Sequence, residues 1–150
     1  MILFFCIFAL FSAYFIEYIL NHLPCNLCLI ERWFYFGAIV LISCFFIFVQ
    51  YQRLILFFLI INFIVASIVS FYHVGIEQGF FNESIVCKIN DFTQSLSKEE
   101  LLKTLSKNTI SCKEVTFKFL GLSLATINTF ISLIFSVIVF LNYLNYEKNK

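Results

Sequence analysis

The chain has 150 residues, of which 61% are hydrophobic and 20% aromatic, while only 13% are charged. Soluble globular domains are roughly half apolar and about a quarter charged, so this composition excludes an ordinary soluble domain and indicates a membrane protein. The formal net charge of +1 provides no basic surface for nucleic acid, so we expect membrane lipid and no nucleic acid as a partner. The length allows a single domain, residues 1–150.

Four apolar segments are long enough, at about 1.5 Å per helical residue, to cross roughly 30 Å of hydrocarbon. They run over about residues 2–20, 33–49, 54–72 and 119–144. The first lacks the basic flank and small-x-small cleavage site of a signal peptide, so we interpret it as an uncleaved span. The predicted fold is all-α: a four-helix transmembrane bundle with two loops, about 21–32 and 73–118, on one side.

Two closely spaced cysteines, Cys25 and Cys28, stand where the second span begins, directly after Pro24. We expect the helix to start within this motif. Cys28 would then lie in the first turn, where unpaired backbone N–H groups and the helix dipole stabilise a thiolate. Arg32, one turn further on, adds a permanent positive charge beside Cys28 or a reduced cofactor. Glu31 is predicted to point about 100° away, toward other charges at the interface.

Other interpretations compete with thiol–disulfide exchange at Cys-x-x-Cys. Haem attachment requires histidine directly after the second cysteine, and Leu29 stands there. A zinc site needs four ligands, which Cys87 and Cys112 could complete, but these two are 25 positions apart and structural zinc sites use close-spaced pairs. A purely structural disulfide is also possible. The motif favours redox exchange without a metal, with the other two readings left open.

The long loop holds the second cysteine pair and a predicted short helix. Ser97 and Glu100 form a capping box, and three leucines follow on one face, so we expect a short amphipathic helix on the membrane surface or on the rest of the loop. Cys87 and Cys112 flank it. A disulfide between them would contribute about 3–4 kcal/mol on the chain-entropy model, which a simple staple would also do. Beside a Cys-x-x-Cys on the same membrane face, a relay between the two pairs is favoured, because exchange passes readily from dithiol to disulfide.

Charge alone does not settle which side these loops face. The long loop carries six lysines, more cations than the opposite side, and counting them would place it in the cytoplasm. Four cysteines on one side fit an oxidising compartment better. We give this chemistry precedence and predict that both loops are extracytoplasmic.

With these features, the chain resembles the disulfide bond formation protein B (DsbB) family of bacterial inner membranes. Residues 23–32, with the letters LPCNLCLIER, look like the family's P-C-x-L-C-x-x-[EQ]-R signature. Residues 119–123 resemble the opening of its last helix, and the number of spans and the order of the cysteine pairs fit as well. The resemblance covers nearly the whole chain and implies a multi-pass protein of the bacterial inner (cytoplasmic) membrane whose redox loops face the periplasm.

The resemblance also implies a quinone-dependent protein-disulfide oxidoreductase. Cys87 would form the mixed disulfide with a periplasmic thioredoxin-like oxidase of the DsbA type, and Cys112 would complete that pair. Cys25 and Cys28 would pass the electrons to a membrane quinone, ubiquinone or menaquinone, with Cys28 nearest to it. Two rival functions remain: a non-catalytic membrane scaffold with structural disulfides, and a membrane protein that binds metal through four cysteines.

Two further residues are candidates for cofactor binding. Arg32 falls on the family's quinone-side arginine. His73, placed at the start of the long loop, is implied to line the quinone pocket, and its alternative is an interfacial histidine. Glu17, inside the first span, is expected to pair with Arg32 or to reach the interface.

Polar residues deeper in the spans are predicted to be structural. Cys6 and Cys44 lie in apolar runs, far from the outer face, and are interpreted as small hydrophobic residues. Asn62 and Asn128 are expected to make hydrogen bonds between helices.

Overall fold

The computed structural model describes residues 1–82, 112, 118–119 and 121–148, which are mostly helical. Within them the helices are α1 (Ile2–Tyr18), α2 (Asn26–Ile47), α3 (Gln52–Glu77) and α4 (Leu124–Lys148). A 3-10 turn (Val49–Tyr51) joins α2 to α3, and two antiparallel strands of two residues each, β1 (Lys118–Phe119) and β2 (Leu122–Ser123), precede α4. Helices are expected here because a backbone in lipid must satisfy its hydrogen bonds internally.

Three stretches are long and apolar enough to cross a membrane: α2, α4 as far as Tyr146, and α3 together with the preceding 3-10 turn. Helix α1 is apolar too, but its 17 residues reach only about 25 Å, the short end of what a bilayer requires. The prediction of a mostly helical chain with four helices is thus confirmed among the described residues, and three of these helices have the length and composition that a membrane span requires. The predicted amphipathic helix at Ser97 and the cysteine at position 87 lie outside the described residues.

Helices α2 and α3 extend beyond the predicted spans, and both do so toward the cysteine end of the bundle. Helix α2 begins at Asn26, within the cysteine motif as expected, and not at residue 33. Helix α3 continues to Glu77, past the predicted end at residue 72, so His73 is part of a helix and not of a loop. The predicted limits followed the apolar run. The helices continue because buried partners on neighbouring helices satisfy the polar side chains that come next.

The helix α4 has a clear local start signal. The Ser123 Oγ accepts a hydrogen bond from the Thr126 N–H at 3.2 Å, the standard arrangement of a serine N-cap. Gly121 has a φ of +83°, which a residue with a side chain rarely adopts, and it makes the tight turn between β1 and β2. This short hairpin fixes where α4 enters the bundle.

The buried residues form two clusters along the bundle. In the first, Cys6, Ala38, Phe63 and Val139 contribute one side chain from each helix, and none of them is more than 2% exposed. This burial agrees with the interpretation of Cys6 as a small hydrophobic residue. The second cluster lies at the cysteine end and consists of Cys25, Leu27, Ile76 and Cys112.

An asparagine inside the bundle ties two helices together, as predicted. The Asn62 side chain on α3 donates a hydrogen bond to the Phe34 carbonyl on α2 at 3.1 Å. The close approach also involves Gly37, where an added methyl group would lie 3.2 Å from the Asn62 Oδ1. The helices α2 and α3 are therefore held in a fixed register below the cysteine motif.

Candidate dithiol site

Cys25 and Cys28 lie at the N-terminal end of α2. Cys25 is the N-cap residue, and its Sγ accepts a hydrogen bond from the Cys28 N–H at 3.2 Å. Both cysteines are free thiols, with their Sγ atoms 2.7 Å apart. A sulfur here takes the place of the oxygen that Ser, Thr, Asp or Asn usually offers at an N-cap. The positive end of the helix dipole therefore acts on Cys25.

This position changes the acidity of Cys25. The hydrogen bond from the Cys28 thiol lowers the pKa of Cys25 below the ordinary value of a thiol, and the backbone N–H groups of Cys28 and Leu27 act in the same direction. Burial opposes them. The sequence pointed to Cys28 as the thiolate favoured by the helix. The structure gives this place to Cys25, because the helix begins one residue after it and Cys25 is the cap.

His73 connects the dithiol to a buried carboxylate. Its Nε2 lies 3.4 Å from the Cys25 Sγ, and its Nδ1 lies 2.9 Å from the Glu31 Oε1. All three residues are buried: Cys25 is 6% exposed, Glu31 8% and His73 2%. An ionised carboxylate can only accept, so with Glu31 ionised and the ring neutral, Nδ1 would carry the proton and the lone pair of Nε2 would face the thiol.

Asn128 on α4 holds the other oxygen of this carboxylate. The Asn128 Nδ2 donates to the Glu31 Oε2 at 2.8 Å and to the Ser70 Oγ at 2.7 Å. The Asn128 Oδ1 accepts from the Tyr35 hydroxyl and from the Ser132 Oγ, the latter at 3.4 Å. The predicted role of Asn128 in hydrogen bonds between helices is confirmed, since these contacts join α4 to α2 and α3.

The position of Glu31 differs from the expectation. Glu31 and Arg32 do contact different neighbours, as expected, but Glu31 faces the interior of the bundle and not the interface. The signal available in the sequence was a carboxylate directly beside an apolar span, since such residues are rarely tolerated in a membrane helix without a role. Which partners it would meet depends on α3 and α4, and the sequence of α2 alone does not contain that information.

Arg32 points in a different direction from Glu31, toward α1. Its guanidinium pairs with the Glu17 carboxylate, its Nη2 lies 3.5 Å from the Ala13 carbonyl oxygen, and its Cζ lies 5.1 Å from the centre of the Tyr14 ring. Of the two arrangements predicted for Glu17, pairing with Arg32 is the one observed. The pair joins α1 to α2 close to the dithiol.

A cavity of about 730 Å³ lies beside the dithiol, bordered by α1, α2, α4 and the end of α3. Most of its wall is apolar, and α1 contributes much of it, from Phe5 to Ile16. The polar or thiol-bearing residues that line it include Cys25, Cys28, Glu31, Arg32, His73, Asn128 and Cys112. A cavity of this volume with a few convergent polar groups is typical of a small-molecule site.

Cys112 belongs to the same end of the bundle. It is 1% exposed, disulfide-bonded and in the same buried cluster as Cys25. Cys112 and the pair Cys25 and Cys28 therefore lie at the same end of the bundle, which a thiol relay requires. Cys112 in a disulfide has no thiolate to offer, so this arrangement does not form the four-cysteine metal site considered from the sequence.

Among the described residues, one group could hold a metal ion. The ligand atoms of Cys25, Cys28 and His73 all lie within 4.8 Å of one another. This set supplies three ligands, whereas a structural zinc site has four. The same three side chains are also placed for thiol chemistry, since the imidazole nitrogen contacts the capping thiol.

The fold and the site define a multi-helix membrane protein with a dithiol at the mouth of a helix, between an apolar cavity and a disulfide-bonded cysteine. The family model of the disulfide bond formation protein DsbB matches residues 1–142, and the chain belongs to this family. It is accordingly a membrane disulfide oxidoreductase. The chain is 30% identical over 129 residues to the uncharacterized protein RP370 of Rickettsia prowazekii (strain Madrid E), an alignment that covers 85% of this chain and 75% of that protein. No solved structure matches the chain.

Proposed function

We propose that the protein reoxidises a thioredoxin-like oxidase of the DsbA type on the periplasmic side of the bacterial inner membrane and passes the electrons to a membrane quinone. The observation that carries this proposal is the free dithiol of Cys25 and Cys28 bordering an apolar cavity of about 730 Å³, with the disulfide-bonded Cys112 in the same buried cluster. Membership in the DsbB family supports it.

The proposed electron path has two exchange steps. In the first, the dithiol of the soluble oxidase attacks the loop disulfide, with Cys87 forming the mixed disulfide and Cys112 leaving as a thiol. In the second, the loop dithiol reduces the disulfide of Cys25 and Cys28. Each step moves two electrons and two protons, forms one disulfide and breaks another, so neither needs a further reactant. The burial of Cys112 next to Cys25 supports the second step.

The chemistry of the cavity fits a quinone as the final acceptor. Its apolar walls suit the ring and the lipid tail, and the Arg32 guanidinium has five N–H donors, of which the contacts to Glu17 and Ala13 engage two. Arg32 is thus the proposed donor toward a quinone carbonyl, and His73 is the proposed quinone-binding residue on the other side of the dithiol, where its ring lines the cavity. When bound there, a quinone would supply the sink for two electrons and two protons and would leave as the hydroquinone.

The proposal is tested by quinone reduction with the purified protein, a reduced thioredoxin-like donor, and a soluble ubiquinone or menaquinone analogue followed by its absorbance. We expect turnover with the unchanged protein and loss of turnover with Cys28→Ser. Cys44→Ser is the matched control, because Cys44 lies on the same helix outside the site and should leave turnover intact. Unimpaired reduction by Cys28→Ser, or thiols that stay unchanged when the donor is added, would refute the proposal. Bound zinc or copper at one ion per chain without turnover would favour a metal-binding protein instead.

A further inference from the structure

We infer that Glu31 is a positioning residue, which holds His73 in the tautomer that accepts the proton of Cys25 when Cys25 and Cys28 form their disulfide. The direction of electron flow rests on the proposed function. The assignment of the proton acceptor, and of the residues that orient it, goes beyond that function. It stands on the row of contacts from the Cys25 Sγ through the imidazole of His73 to the Glu31 carboxylate.

The oxidation of a buried dithiol needs a nearby proton acceptor. When two thiols become a disulfide, two protons and two electrons leave the sulfur atoms. Cys25 is 6% exposed, so bulk water has little access to its proton. The His73 Nε2 at 3.4 Å is within reach for proton transfer. The Cys25 proton passes to Nε2 as the bond between the two sulfurs forms. A quinone bound in the cavity would take up the electron pair together with this proton and that of Cys28, as the proposed function requires.

Glu31 decides which nitrogen of His73 is free to accept. Its Oε1 accepts the Nδ1 proton at 2.9 Å, so the lone pair of the neutral ring lies on Nε2, toward Cys25. The other carboxylate near the ring, Glu77, lies farther from it than Glu31 does. The Glu77 Oε1 lies 3.7 Å from Nε2, beyond a good hydrogen bond, and the Arg32 guanidinium is paired with Glu17 of α1.

Asn128 makes this arrangement specific. Its Nδ2 donates to Glu31 and Ser70, while its Oδ1 accepts from Tyr35 and Ser132. Rotating the amide by half a turn would bring its oxygen against the Glu31 carboxylate, where two acceptors would face each other. The carboxylate is therefore held with one oxygen toward α4 and the other toward His73. The orientation of the asparagine amide is passed on to the imidazole through the carboxylate.

A substitution of nearly equal shape separates this role from simple packing. In Glu31→Gln, the side-chain oxygen is retained by the Asn128 Nδ2, so the new NH₂ group points at His73. The imidazole must then accept at Nδ1 and carry its proton on Nε2, which leaves no lone pair for Cys25. Adding Asn128→Asp reverses this change. The carboxylate at position 128 accepts a hydrogen bond from the amide NH₂ at position 31, so the amide oxygen at position 31 points back toward the His73 Nδ1. The double variant should recover the original tautomer.

The experiment reads the tautomer directly, by ¹⁵N NMR of histidine-labelled protein with the Cys25–Cys28 disulfide formed, at a pH where the ring is neutral. The chain has 2 histidines, and a His22→Gln variant assigns the signals. We expect a protonated Nδ1 in the unchanged protein, a protonated Nε2 in Glu31→Gln, and a protonated Nδ1 again in the double variant. Glu77→Gln, the same change in the other carboxylate near the ring, should leave the tautomer as it is.

The rate of quinone reduction is measured beside the tautomer. We expect a drop of about 10²-fold in Glu31→Gln, the typical size of a lost general-base contribution, with partial recovery in the double variant. A protonated Nε2 in the unchanged protein would overturn the inference even if no variant folds. A reversed tautomer with an unchanged rate would overturn the assignment of His73 as proton acceptor. If the unchanged protein reduces no quinone, the proposed function fails, while the spectra still decide whether Glu31 sets the tautomer.

Discussion

Replacing Asn128 by leucine is the sharpest test of what joins α4 to the rest of the bundle. Leucine has the same branching and the same number of side-chain heavy atoms as asparagine, so Asn128→Leu removes the polar contacts while keeping the shape of the side chain. The amide makes hydrogen bonds to Glu31, Ser70, Tyr35 and Ser132, and it is 8% exposed. Among the described residues, no buried side-chain nitrogen or oxygen lacks a partner, so this substitution would create several.

The magnitude follows from the number and kind of these bonds. Hydrogen bonds between helices in a bilayer contribute on average about 0.6 kcal/mol each, so the three to Glu31, Ser70 and Tyr35 amount to about 2 kcal/mol. The Glu31 carboxylate raises this figure, because a bond to a charged group is worth about 1.5–3 kcal/mol when the group would otherwise stay buried without it. We expect the free energy of unfolding to fall by about 2–4 kcal/mol, which is about 30-fold or more in the unfolding equilibrium.

Reversible unfolding in mixed micelles, titrated with sodium dodecyl sulfate and followed by far-ultraviolet circular dichroism, measures this loss. Asn142→Leu is the matched control on the same helix. The Asn142 side chain is exposed and donates only to the Ile138 carbonyl of its own helix among the described contacts, at 3.0 Å. We expect its effect to stay within about 0.5 kcal/mol. Equal stability of the two variants would show that the buried hydrogen bonds of Asn128 do not hold α4 in the bundle.

Two further predictions follow from the site and the core. Since the hydrogen bond from Cys28 is the largest cause of the lowered pKa of Cys25, Cys28→Ala should raise that pKa and slow the alkylation of Cys25 by iodoacetamide near neutral pH. Alkylation followed by mass spectrometry against pH checks this, and an unshifted or downward-shifted profile would contradict it. Phe63→Ala, at a side chain 2% exposed among all four helices, should lower the unfolding free energy by about 2–4 kcal/mol through lost packing, whereas Phe58→Ala, 49% exposed, should change it little. Comparable losses in the same micelle titration would argue against a packed core at Phe63.

The sequence predicts the helices well, because in lipid an apolar run of sufficient length has few alternatives to a helix. It places their ends less well, since a polar residue such as His73 ends an apolar run without ending the helix. Pairings between neighbouring helices were predictable where the candidates were few: Arg32 had a carboxylate, Glu17, at a matching depth. The burial of Glu31 was not predictable in this way, because its partners come from α3 and from α4, which is nearly a hundred residues further along the chain.

The adjacency of Glu31 and Arg32 explains how one turn of helix serves two purposes. Because successive residues are about 100° apart around a helix, neighbours of opposite charge need not pair with each other. Arg32 pairs with Glu17 on α1, at the wall of the cavity, while Glu31 contacts His73 on α3 and Asn128 on α4. Had the two paired together, neither would reach a neighbouring helix. Each charge is instead compensated across a helix boundary, so the groups that stabilise the bundle are the ones that place a base at the thiol and a cation at the cavity.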